Sequence, residues 1–203
     1  MLYAFLKPIA MALMRLGWRL EVRGAEHVPA AGPVLLVSNH VSLLDPPFVG
    51  AAAPRELYFL AKEELFAVPL FGRFIHALNA RPVKRRGADG RALRATLKLL
   101  AENRAILLFP EGTRGAEGRL SEGKAGAGML ALMSGAPVVP VYISGTARAL
   151  PAGRVVPRPC RVRVTFGPPL AFKSGGEERS KEQYREATSE MMRAIEQLMG
   201  RAA

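Results

Sequence analysis

His40 and Asp45 stand five residues apart, directly after an apolar run, in "PVLLVSNHVSLLDPP". An imidazole backed by a carboxylate on one ring nitrogen can take a proton from an alcohol near neutral pH through the other. On a regular helix five residues turn through about 500°, leaving the two side chains roughly 140° apart. A strand-to-helix turn is therefore the geometry that would fold Asp45 back onto the ring. The same residues also fit an Asx-type turn, with Asp45 capping a helix ahead of Pro46 and Pro47. Spacing alone leaves both readings open. Ser38 and Ser42 flank His40, but the G-x-S-x-G nucleophile elbow occurs nowhere in the chain. The two serines read as hydrogen-bonding supports of the loop.

A second polar segment, "FPEGTRG", follows another apolar run, "AILL". Gly112 and Gly115 let the backbone approach a ligand closely. Thr113 offers a hydroxyl and Arg114 a guanidinium fork suited to phosphate. Glu111 can accept from a substrate hydroxyl or hold an arginine in place. The plainer alternative is a structural turn with an exposed arginine. The basic "RPVKRRG", with Lys84, Arg85 and Arg86, is either a phosphate locus or a solvated loop.

These segments need a scaffold, and the hydropathy pattern supplies one. "PVLLVSN", "AILLF" and "PVVPVYISG" are continuous apolar runs, the pattern of strands buried on both faces. "RLEVRG", "ELYFLAK", "ARPV" and "RVRVTFG" read as further strands. Residues 89–104 predict an amphipathic helix with Leu93, Leu97 and Leu100 inward and Asp89 as N-cap. "GKAGAGMLALMSGA" predicts a small-residue helix. The C-terminal stretch predicts a long one, with Gly200 just past its end. Strands alternating with helices imply an α/β fold, a largely parallel central sheet flanked by helices. Functional groups in such sheets gather at the strand ends, where both polar segments fall. A length of 203 residues with no repeat or low-complexity linker fits one domain.

Lys and Arg number 29 against 17 Asp and Glu, a formal net charge of +12. That favours an anionic partner: a membrane surface, an acidic substrate or nucleic acid. Single-strand nucleic-acid binding calls for aromatic residues among the basic ones, and "RPVKRRG" has none. Three His and one Cys, scattered along the chain, give no zinc spacing. The lone Cys160 excludes an internal disulfide and reads as a core or edge thiol.

No apolar run is long enough to predict a transmembrane helix. The opening "MLYAFLKPIAMALMRLGWRL" lacks the basic start and cleavage site of a signal peptide. At 100° per residue, Lys7, Arg15 and Arg19 share an arc of roughly 120°. Leu2, Phe5, Leu6, Ile9, Leu13, Leu16 and Leu20 oppose them. With Trp18 near one end, residues 1–20 predict an amphipathic helix at a membrane interface, ahead of a catalytic core over 21–203. The alternative is a terminal helix docked on its own core.

Taken in order, four segments resemble the blocks of the glycerolipid acyltransferases, most closely the bacterial enzymes that act on 1-acyl-glycerol-3-phosphate. "NHVSLLD" is similar to the family's N-H-x4-D, "LFGRFIHALNARPVKR" to its second block, and "FPEGTRG" to its F-P-E-G-T-R-S. "APVVPVYISGT" is similar to its fourth, apolar block. Gly115 stands where the family usually has Ser, and Arg81 and Lys84 make the second block unusually basic. The resemblance implies His40 as general base and Asp45 as its orienter, with direct attack of the acceptor hydroxyl on an acyl thioester. It implies that Arg85, Glu111, Gly112, Thr113, Arg114 and Lys124 bind the acceptor phosphate and glycerol. It implies lysophosphatidate as acceptor, phosphatidate as product, and acyl carrier protein or coenzyme A as carrier of the acyl group. No cofactor and no metal are expected. The expected location is the cytoplasmic face of the inner membrane, peripheral or monotopic, on anionic lipid.

Overall fold

A computed structural model describes residues 2–83, 90–173 and 180–202. Its strands are β1 (Glu21–Arg23), β2 (Val34–Ser38), β3 (Leu57–Lys62), β4 (Ala80–Val83), β5 (Ala105–Leu108), β6 (Val138–Ser144) and β7 (Arg163–Phe166). They form one seven-stranded sheet in the order β1-β7-β6-β2-β5-β3-β4. Every pairing is parallel except β6 with β7. The expected α/β architecture is therefore observed. The apolar runs are the middle of the sheet: every residue of β2 and β5 is buried. β7 instead alternates half-buried and buried residues, as one with a single face on the core.

The helices are α1 (Leu2–Trp18), α2 (Asp45–Ala52), α3 (Glu63–Phe66), α4 (Pro69–Ala77), α5 (Gly90–Ala101), α6 (Gly126–Ser134), α7 (Thr146–Ala149) and α8 (Lys181–Ala202). α5, α6 and α8 cover one face of the sheet, with Leu100, Leu130, Met191 and Ile195 buried against Leu35, Val37 and Ile106. α1 and α2 lie over the other, where Phe48 and Val49 pack on Leu36, Leu107 and Val141. Phe48 is wholly enclosed and meets Trp18 edge-to-face at 5.8 Å. Truncating such a ring to Ala costs about 3–5 kcal/mol.

Several expectations are corrected. α8 runs through Gly200 to Ala202, so that glycine is not a helix stop. Asp45 is the first residue of α2 rather than its cap, which is Leu44, and Pro46 and Pro47 occupy the first turn, where a missing N–H costs nothing. The N-cap expected of Asp89 lies outside the described residues.

α1 is both docked and exposed. The Tyr3 hydroxyl donates to the Gly50 carbonyl and accepts from the Leu57 N–H, and burial pushes its pKa to about 12. Lys7 is not part of a solvated basic edge. Its ammonium donates to the carbonyls of Ala53 (2.5 Å) and Arg55 (3.2 Å), just past the C-terminus of α2. A cation there meets the negative end of the helix dipole, while burial lowers the lysine's pKa. Arg19 lies beyond the helix in a left-handed conformation, and Leu20 is buried rather than facing out. Phe5, Leu13 and Leu16 do face out, 66%, 60% and 84% exposed.

Candidate active site

The three central strands β6, β2 and β5 are parallel neighbours, so the loops leaving their C-terminal ends meet over the middle of the sheet. Asn39 extends the β2–β6 pairing past the last strand residue. Its amide donates to the Ile143 carbonyl (2.9 Å) and accepts from the Ile143 N–H (2.8 Å). This double bond fixes where the chain leaves β2 and hence where His40 begins.

Asp45 is wholly buried. Its Oδ2 accepts from His40 Nδ1 at 2.7 Å, from Val41 N–H at 2.7 Å and from Ser42 N–H at 2.8 Å. The helix-capping Asx turn, the alternative in the sequence, is not formed: Leu44 stands at the N-cap of α2, and the carboxylate of Asp45 reaches back to residues 40–42 instead. The carboxylate that closes the loop is also the one that holds the ring. A carboxylate only accepts, so Nδ1 carries the hydrogen, and in the neutral ring the lone pair is on Nε2. The ring stacks on Phe109, centroids 4.1 Å apart and planes 23° from parallel. Its side chain remains 18% exposed. His40 is therefore held from two directions while part of its side chain stays exposed.

Glu111, at the turn after β5, is 4% exposed. Its Oε1 accepts from the His40 N–H (3.1 Å) and its Oε2 from the Ser121 N–H (2.9 Å). Gly115 N–H donates to the His40 carbonyl at 2.8 Å. The "FPEGTRG" segment thus grips both backbone groups of residue 40. The serines behave as the sequence suggested. Ser42 Oγ accepts from Leu44 N–H and donates to the Leu150 carbonyl, and Ser38 Oγ donates to the Asn39 carbonyl.

Residues 19–144 match the family model described as Acyltransferase. The chain belongs to the acyltransferase family. A 1-acyl-sn-glycerol-3-phosphate acyltransferase of Bacillus subtilis (strain 168) is 26% identical over 97% of this chain and 96% of its own length. One from Limnanthes alba is 32% identical over 76% of this chain and 55% of its own. The chloroplastic relative BAT2 of Brassica napus is 31% identical over 67% of this chain, which spans only 40% of that protein. The crystal structure of the 1-acyl-sn-glycerophosphate (LPA) acyltransferase PlsC from Thermotoga maritima superposes with a TM-score of 0.76. It is 30% identical and covers 97% of this chain and 80% of that one.

The outer residues of the site differ in kind from the inner ones. Thr113 and Arg114 are exposed, and Arg114 has no ion pair or hydrogen bond among the described residues. Gly112 adopts φ +69°, and a Cβ there would lie 2.7 Å from Lys124 Nζ. The glycine both permits the turn and lets the lysine cross it, bringing an ammonium beside the Glu111–Arg114 turn. A Cβ at Gly115 would lie 3.3 Å from Glu111 Oε2 and 3.7 Å from Ser121 Oγ, so the position is snug rather than closed. Arg85 lies outside the described residues.

Two contributors were missed in the sequence. Thr146, at the start of α7, donates to Asp45 Oδ1 at 2.5 Å. Glu117 accepts from the Gly145 N–H at 2.5 Å. A hydroxyl just after a buried strand is the only local signal for Thr146, and it is a weak one. Cys160 lies in irregular chain ahead of β7 rather than in a strand. It donates to the Gly145 carbonyl, and burial raises its pKa.

Proposed function

We propose that the chain moves a fatty acyl group from an acyl thioester to the free hydroxyl of 1-acyl-sn-glycerol-3-phosphate, making phosphatidate. The observation that carries the chemistry is the 2.7 Å bond from His40 Nδ1 to the buried Asp45, on a side chain that stays partly exposed. The relatives' names support the acceptor. His40 Nε2 takes the hydroxyl proton as the oxygen attacks the thioester carbonyl. The tetrahedral oxyanion collapses, the C–S bond breaks, and the departing thiolate takes the proton back from the imidazolium. Asp45 holds the ring and stabilises its cationic form. No acyl-enzyme forms. Arg114, Thr113 and Lys124 bind the acceptor phosphate and glycerol, with Gly112 shaping the turn, and Arg85 is proposed to join them. Glu111 works through the main chain of His40, as a strut. The donor is an acyl carrier protein or coenzyme A thioester, and the enzyme itself needs neither cofactor nor metal.

His40→Ala, confirmed folded by circular dichroism, should lose at least about 100-fold in acyl transfer, the contribution of a general base. Assays with both thioesters and a panel of lysolipids identify the partners. Wild-type turnover by the variant would remove His40 from the mechanism.

The acceptor is a lipid, and one flank of the molecule suits a bilayer surface. Phe5, Leu13 and Leu16 of α1 face solvent, as do Leu70, Phe71 and Phe74 of α4. Between the two helices lies an apolar cavity of ≈ 330 Å³, lined by Leu6, Ile9, Leu13, Phe74 and by Pro46 and Pro47 beside Asp45. Such a space suits an alkyl chain next to the reacting centre. Among the described residues no helix is long and apolar enough to cross a membrane. The proposed attachment is peripheral or monotopic, on the anionic cytoplasmic face of the inner membrane, with α1 as the interfacial helix of a single catalytic domain. The +12 charge favours that face. Leu16→Asp with Leu70→Asp, two residues 84% and 82% exposed, should cut flotation with phosphatidylglycerol vesicles roughly 10-fold or more while leaving the melting temperature unchanged. Undiminished flotation would rule this face out.

A further inference from the structure

The two oxygens of Asp45 are held very differently. Oδ2 takes three donors, all from residues 40–42. Oδ1 takes one among the described residues, the Thr146 hydroxyl at 2.5 Å, reached across 101 positions of sequence. Three donors on one oxygen exceed its two in-plane lone pairs. The torsion about Cβ–Cγ of an aspartate is soft and roughly two-fold. Left alone, the carboxylate would relax by turning and sharing its donors between both oxygens, which moves Oδ2 off Nδ1. A hydrogen bond on Oδ1 resists that turn.

Thr146 is itself firmly placed. It is fully buried and follows Gly145, whose φ of +89° and whose neighbour, the Arg161 carbonyl only 2.1 Å from where a Cβ would stand, admit glycine alone. The Gly145 N–H is capped by Glu117 and its carbonyl by the Cys160 thiol. At the far end of α7 the Leu150 carbonyl accepts from Ser42. The loop after β6 is therefore stitched to the loop after β5 and to the His40 loop. No part of α7 needs a substrate to hold it there.

We propose that Thr146 is a positioning residue for the His40–Asp45 pair: its hydroxyl locks the rotation of the Asp45 carboxylate so that Oδ2 stays on His40 Nδ1. The inference deepens the acyl-transfer reading and rests on it for its kinetic consequence, but its structural content can be read without turnover.

The test uses Thr146→Val, which keeps the shape and removes the donor, and Thr146→Ser, which keeps the donor. Thr146→Val should lower kcat about 10-fold, the scale of one charge-assisted hydrogen bond, with both KM values unchanged within about two-fold. Thr146→Ser should restore kcat to within about three-fold of wild type. In an Asp45→Asn background, Thr146→Val should cost less than about two-fold more, because residues that act as a unit are not additive. The direct readout is nitrogen NMR of the histidine rings, of which the chain has three. His40 should be the Nδ1–H tautomer in wild type and in Thr146→Ser, and a mixture of tautomers in Thr146→Val. An unchanged tautomer in Thr146→Val, or an equal loss of kcat in both backgrounds, would overturn the proposal. The expected tautomer change in a protein that transfers no acyl group would uphold the positioning role and sink the functional reading instead.

Discussion

The inner and outer halves of the site are built on opposite principles. The inner half is His40, Asp45 and Glu111. Each is buried or partly so, and each is tied to backbone or side-chain partners from the protein's own loops. The outer half is Thr113 and Arg114, exposed, with Lys124 laid over Gly112 at the surface. The inner half is complete before any substrate arrives. The outer half presents cationic groups that an arriving anion would satisfy. A base must be pre-set, because its reach to a hydroxyl is a matter of tenths of an ångström. A phosphate clamp gains from staying hydrated and open until the phosphate displaces the water. Substitutions in the two halves should therefore separate cleanly. Inner ones should change kcat and stability together, and outer ones should change KM alone.

The largest expected effect in this contrast is at Glu111. Glu111→Ala leaves the His40 N–H without its acceptor, whereas the Ser121 N–H sits at an exposed residue where water can replace the carboxylate. One stranded donor costs about 1–3 kcal/mol, a fall in melting temperature of roughly 2–12 °C for a chain of this size. The loosened main chain also misplaces the ring, and a shift of that kind costs on the order of 100-fold in rate. A thermal melt and a kcat measurement on the same sample check both. Lost affinity for the acceptor with normal stability and kcat would put Glu111 in the outer half.

The contrast also explains what could be read from the sequence. The outer residues stand out in the sequence because Gly112, Thr113 and Arg114 lie together in "FPEGTRG", and the structure leaves Thr113 and Arg114 exposed there. The middle of the sheet was legible because β2, β5 and β6 are continuous apolar runs. The His40–Asp45 pair was legible as a choice between two readings. What resolved it was the convergence of three donors on Oδ2, a fact of backbone geometry that spacing does not carry. The inner half's supports were hidden. Glu111 looked like a substrate ligand because nothing local shows that a carboxylate is turned inward. Thr146 sits on a four-residue helix with no periodic signal, and its partner is distant in sequence. Lys7 was placed on a polar edge by a helical wheel, which knows nothing of the carbonyls at the end of α2. Arg19 was placed there too, because the wheel does not show that the helix ends at Trp18.

The smaller effect lies in the outer half, at Arg114. Its guanidinium is exposed and makes no ion pair or hydrogen bond among the described residues, so Arg114→Ala should leave stability within about 0.5 kcal/mol of wild type. Two charge-assisted bonds to a phosphate would be lost, which predicts a KM for lysophosphatidate raised roughly 10–100-fold. Wild-type KM should itself climb with salt, since exposed charges are screened within about 10 Å at 0.1 M, and that salt dependence should be weaker in the variant. Arg114→Lys keeps the charge but not the fork, so it should recover part of the affinity and most of the salt dependence. The control is an acceptor without the phosphate, a monoacylglycerol, on which wild type and Arg114→Ala should perform alike. Because Gly115, the next residue, bonds the His40 carbonyl, the division between the halves runs between two adjacent residues. A fall in kcat for Arg114→Ala on both acceptors would mean the guanidinium belongs to the inner frame after all, and that the site is one rigid unit rather than a fixed base beside an open clamp.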